Sequence, residues 1–485
     1  HEDCRRQRQM CIRDSTFSAA GANAYRIGGA LTVTSNGGAG AFTFTGADPT
    51  ITAVGAVAFN EGNGTDDIML LADVSNLTIN TTDANVILPN IVGTAGNGDD
   101  ATDITISVGS GTISVESIST DINDVQLTST GGITLNGNIT TATDSDDGSG
   151  ASGVVTLTGP VTLTENITID TDSTSNNGAV SFTSTVDGFK TLTITTGSGA
   201  VDFAGNIGAT TALGDLTINS SGGTGTIDIE QIGDGDVSGG VRGTVAIGNA
   251  ATSQVEFDGT IYKFENVTGA SDTVTITASD TGEAIDFTAG AAVTITTIGQ
   301  DVAAETGTTT SGNAITFDTG TIDLANTSDL TINSNGGAVT IKGIRGASSE
   351  TVTISANSGS VTSATETISI GTDGIGNADE IGAIALTAAD GVTLGGNITL
   401  ADSGGADLTV TGAAKISGDV TIAGDNTTND ATVTFSSTID GVAGGGDDDL
   451  IINFGDSANG GTLSLGGVIA VSYTHLRAHE TSPHL

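Results

Sequence analysis

The 485-residue chain has no tryptophan, 3% aromatic residues, two cysteines, four prolines and twelve Lys or Arg side chains against 57 acidic ones. The shortage of cations argues against nucleic-acid binding, because neutralising phosphates needs Lys and Arg gathered on one face. Strong helix formers such as Lys, Arg, Gln and Met are scarce, which argues against a helical architecture. No apolar run approaches the roughly 18 residues of a membrane-spanning helix. What the chain has in quantity is Gly, 72 residues, with Thr, Ser, Gly or Asp interrupting every stretch of Val, Ile and Leu. The expectation is an extended, soluble, nearly all-β protein.

Both ends stand apart from the rest. Residues 1–15, HEDCRRQRQMCIRDS, carry both cysteines and four of the twelve basic side chains. The DNA string AGATGTGTATAAGAGACAG encodes Met10 to Asp14, and its reverse complement encodes Val471 to His475 in the tail VSYTHLRAHETSPHL. The two tails are therefore inverted repeats at DNA level and resemble translated sequencing adaptors, to be set aside as processing scars are. They hold all four histidines, His1, His475, His479 and His484, as well as Cys4 and Cys11. Removing the four acidic and five basic tail residues leaves 53 acidic and 7 basic ones, a net of -46. A frame open through both adaptors implies a fragment of a longer gene.

Between the tails, apolar residues alternate with Thr or Ser in triplets such as Leu77-Thr78-Ile79, Ile133-Thr134-Leu135, Leu192-Thr193-Ile194, Leu216-Thr217-Ile218 and Leu330-Thr331-Ile332. A period of two marks strands with one buried face. Turn material follows, SSGG at 220–223 or SNGG at 334–337, since Gly and Asn accept the positive φ of tight corners. Strands of four to six residues are expected, and corresponding ones often return after 19 to 25 residues, as from Leu192 to Leu216, Val293 to Ile315 and Leu330 to Val352. That leaves room for three short strands and three corners, one coil of a parallel β-helix.

A longer period overlies the short one. Residues 155–188 align without a gap to 408–441, an offset of 253, and LADVSNLTIN at 71–80 matches LANTSDLTIN at 324–333 at the same offset. GGITLNGNIT at 131–140 matches DGVTLGGNIT at 390–399. The expected organisation is a tail at 1–15, a first copy of the unit at 16–279, a second, incomplete copy at 280–470 and a tail at 471–485. Coils stacked at the roughly 4.8 Å strand spacing would complete one another's thin apolar pattern, and about 20 of them would make a rod on the order of 100 Å. The rival is a string of immunoglobulin-like sandwiches, but those want a buried aromatic core and proline in linkers. Only Pro49, Pro89 and Pro160 occur in the body.

The body has no His and no Cys, so nucleophilic triads and zinc sites lose their usual members. Carboxylates remain, and paired ones can serve as acid and base on glycosides. The Asp residues cluster in loops without an evident pair, and the nearest basic pair is Lys342 and Arg345, whose equivalents at the 253 offset are Pro89 and Val92. Calcium is the more natural use of such loops, because a hard cation takes several oxygens on a turn that Gly lets close. The candidate ligands are Asp66 and Asp67, then Asp144, Asp146 and Asp147, then Asp447, Asp448 and Asp449. The expectation from them is that calcium raises the melting temperature.

The LTINSSGG-like strands, AVDFAGNIGATTALGDLTI at 200–218 and the FTSTVDG and FSSTIDG corners resemble bacterial β-strand-repeat surface proteins, similar to filamentous-haemagglutinin-type and autotransporter adhesin passengers. The resemblance covers most of 27–470. It implies an all-β, right-handed parallel β-helix open at both ends, secreted or displayed on a bacterial cell surface as stalk, matrix component or adhesin without catalysis. Its partners would be neighbouring repeats of the same longer chain and host or matrix glycans or proteins. A polysaccharide-active β-helix enzyme and a calcium-dependent surface-layer protein built of sandwiches are the alternatives. An enzyme should gather acidic residues in one copy only, whereas a stalk should present equivalent faces in both.

Overall fold

The computed structural model describes residues 10–11, 15–18 and 24–470, apart from 35–40, 46–47, 61–67, 73–75, 94–101, 142–152, 173–176, 235–238, 268–271, 281–283, 301–310, 348–349, 358–364, 377–378, 403–404, 425–430, 443–447 and 455–460. The described residues contain strands and turns and no helix, hence none long and apolar enough to cross a membrane. Every strand pairing among them is parallel, which is the signature of a β-helix and excludes antiparallel sandwiches. The chain forms two compact units, His1–Asp228 and Ile229–Leu485.

In the first unit a coil is made of three strands. The chain runs through Thr102–Val108, Ile113–Val115 and Ile118–Ser119, then enters Ile122–Ser129, which lies beside Thr102–Val108. Each face is therefore a parallel sheet whose members recur every third strand. Alternation sets the inside: Thr102, Ile104, Ile106 and Val108 are buried while Asp103, Thr105 and Ser107 reach solvent. Ile104 and Ile106 sit opposite Val125 and Leu127 of the next coil, so residues too few to close a core within one coil close it between coils. Phe182 stacks on Phe203 one coil later at 4.7 Å and 3°. Gly222 and Gly223 take φ of 137° and 159° in the SSGG corner. Before the first regular coils, Met10–Cys11 pairs with Leu31–Thr34 and Ser15–Ser18 with Ala41–Thr45.

The second unit repeats the scheme. Leu330–Asn333, Val352–Ser355 and Ile384–Thr387 are successive rungs of one face. Val339–Arg345 serves two faces, with Val339 and Ile341 beside Ile315 and Phe317 and with Ile344 beside Ile322. Asn335 and Gly336 turn the SNGG corner with φ of 47° and 99°. Phe257 and Phe287 stack at 4.9 Å.

Two expectations are corrected. Val293 and Ile315 do not occupy the same face: Val293 faces Leu330, and Ile315 lies between Val274 and Val339. Spacing cannot tell a full turn from a step onto the next face when a corner is long. The rungs are also less uniform than four to six residues, from the two of Ile118–Ser119 to the nine of Thr367–Ile375. The return distance varies with them: Val57 faces Val86, 29 residues on, and Thr105 faces Gln126, 21 on.

Candidate functional site

Of the eight predicted calcium ligands, Asp66, Asp67, Asp144, Asp146, Asp147 and Asp447 lie outside the described residues. Asp448 is buried, and its Oδ1 accepts the N–H of Gly418 at 3.0 Å. The N–H of Asp449 in turn donates to Asp419 Oδ1 at 3.1 Å. Both residues therefore belong to a fastening between two corners. No group of three or more His, Cys, Asp or Glu side chains among the described residues is placed to hold a metal.

That fastening is general, since an Asp or Asn at one corner accepts a backbone N–H from a neighbouring coil. Asp83 Oδ1 takes the N–H and the hydroxyl of Ser110 at 3.0 and 2.9 Å, and these bonds hold its carboxyl below the usual Asp range. Asp124 Oδ1 takes the N–H of Val154 at 2.7 Å, yet burial outweighs that bond and, with Asp103 nearby, pushes this carboxyl up. The two copies carry the same caps. Asn138 accepts from Thr168, and its counterpart Asn397 accepts from Thr421, each at 2.8 Å. Asn166 accepts from Thr191, and its counterpart is Asp419. Amide and acid interchange there because the bond uses only an acceptor oxygen.

Charge gathers at two other places, both in the second unit. Glu265 is fully buried with Arg242 Nε at 2.8 Å and Lys263 Nζ at 3.6 Å. Burial pushes the Glu265 carboxyl up even though both cations pull it back. On another face Glu256, Asp286 and Asp323 stand directly opposite one another on successive rungs, followed by Arg345. Partial burial and the charges of Asp258 and Asp286 push the Glu256 carboxyl up. The basic pair singled out in the sequence is committed to acids: Lys342 bonds Asp280 and lies 3.3 Å from Asp373, and Arg345 lies 3.5 Å from Asp323.

One face in each unit has the opposite character. In the first unit the outward residues of successive rungs form a column of Thr50, Thr78, Thr105, Gln126, Thr156 and Ser181. A second column, two residues along each strand, holds Thr52, Asn80, Ser107, Thr128 and Thr158. In the second unit the first column is Thr294, Thr331, Thr353, Ala385, Thr409 and Thr434. Beside it stand Thr296, Asn333, Ser355, Thr387 and Thr411. All are half-buried or exposed, and none carries charge or an aromatic ring. The rungs come in the same order in both copies: TIT, LTIN, ITIS or VTIS, VQLT or IALT, VTLT or LTVT, VSFT or VTFS. In the first unit Arg26, opposite Thr52, and Asp202, opposite Ser181, close the array at its two ends.

Alternation marks these triplets as strands but does not by itself place them on one face. The available signal was retention of hydroxyls at outward positions in both copies, where packing does not demand them. Comparison with protein-family models, curated proteins and solved structures finds no match.

Proposed function

We propose that the chain is a structural and adhesive segment of a large secreted or cell-surface bacterial repeat protein, working as stalk, matrix component or adhesin without catalysis. The observation that carries this reading is the doubled hydroxyl face: the same surface is built twice from equivalent rungs, as a repetitive binding or spacing element requires. A catalytic constellation needs to exist only once. The charge of -45 supports display in solvent, since it keeps long parallel edges of separate molecules apart.

Glu256, Asp258 and Asp286 favour a second reading, a polysaccharide-active enzyme, because they lie close together and include a carboxyl with raised pKa. One experiment separates the two. The chain is displayed on a non-adherent bacterium, retention under flow is measured on polysaccharide and protein surfaces, and the supernatant is assayed for newly released sugar ends. Retention without release is the expected result. Release that disappears in Glu256→Gln would establish the enzyme instead.

A further inference from the structure

Resting on the adhesive reading, we infer that the doubled hydroxyl face binds the surface of ice. The face is a two-dimensional lattice. Rungs repeat at roughly 4.8 Å, and outward residues repeat along a strand at roughly 6.6 Å, twice the rise per residue. These spacings lie close to the oxygen repeats on a prism face of hexagonal ice. The registers from Val293 to Phe435 run one residue opposite one with no shift, so the columns keep their spacing across all six rungs.

The chemistry fits the same ligand. Each Thr offers a hydroxyl that donates and accepts, as lattice water does, beside a methyl whose hydration shell is already ordered. Its β-branched side chain is stiff at χ1, so the hydroxyls are held in place before water arrives. Thr fills seven of the eleven column positions in the first unit, Thr50, Thr52, Thr78, Thr105, Thr128, Thr156 and Thr158, and eight of the eleven in the second, Thr294, Thr296, Thr331, Thr353, Thr387, Thr409, Thr411 and Thr434.

Charge decides between ligands. Ice is neutral, and in a chain of net charge -45 these columns are neutral too, while Glu256, Asp286, Asp323 and Asp440 stand outward elsewhere. A cationic partner would be drawn to those carboxylates and away from the Thr columns. A crystalline polysaccharide would be met by aromatic platforms, and neither copy of the face has one.

The test uses the whole chain. Thermal hysteresis, ice-crystal shaping and partition into a slowly growing ice hemisphere are measured for the wild type, for Thr105→Lys with Thr353→Lys, and for Thr193→Lys, which changes an outward residue of a different face. Circular dichroism confirms folding in each. The wild type and Thr193→Lys should shape ice and enter it, and the double variant should lose both properties. An inactive wild type, or equal activity in all three, would overturn the inference. So would a dimer seen by sedimentation and abolished by the double variant, since a second copy would then be the occupant of the face. A chain that retains cells on matrix surfaces but ignores ice sinks this inference alone and leaves the adhesive reading standing.

Discussion

At the scale of single residues, the acidic composition divides into oxygens that fasten corners and charges that merely repel. Asp83 belongs to the first kind. Its pKa is lowered in the fold, so its contribution to stability is present above the unfolded value and is lost as pH falls through the folded one. Asp83→Asn keeps an acceptor for Ser110 and removes the titration. Melting curves from neutral pH down to about pH 3 should therefore show a smaller loss of stability in this variant than in the wild type. Glu265 behaves in the opposite sense: its pKa is raised, so its contribution is fully present below the unfolded value and is lost as pH rises through the folded one. Glu265→Ala should cost about 3–5 kcal/mol in urea unfolding, because it leaves Lys263 buried without its counter-charge. Neither role was legible in the sequence. A cap such as Asn166 or Asp419 is recognisable only once its donor, a coil away, is known.

At the scale of elements, the rungs were legible because a period of two leaves no freedom about which residues turn inward. Leu216-Thr217-Ile218 beside Leu192-Thr193-Ile194 is the register the alternation demands. Assignment of rungs to faces was not legible, as Val293 and Ile315 show, since corner length carries no information about how far the chain has turned. The same division governs mutations. Phe182→Ala removes half of a buried stacked pair and should cost about 3–5 kcal/mol by denaturant unfolding. Inserting one Gly between Gly222 and Gly223, where a side chain at Gly222 would meet open space, should cost no more than about 0.6 kcal/mol in the same measurement. Deleting Thr353 would turn the rest of its rung inside out and abolish cooperative unfolding of that unit.

At the scale of the whole molecule, electrostatics acts against folding almost everywhere. With 57 acids and 12 bases, and with carboxylates opposite one another at Glu256, Asp286 and Asp323, the chain repels itself. Raising sodium chloride from low ionic strength to about 0.5 M, where the screening length falls to a few ångströms, should raise the melting temperature. Differential scanning calorimetry would show it, and a fall on adding salt would mean that the few ion pairs outweigh the repulsion. The coils differ in length, 29 residues from Val57 to Val86 and 21 from Thr105 to Gln126, yet their registers hold. Genetic slippage that adds or drops codons between rungs is thus mechanically silent, whereas slippage inside a rung is not. A gene of this kind can lengthen by whole turns through unequal crossing-over, and every new turn arrives already in phase with the pattern on the old ones.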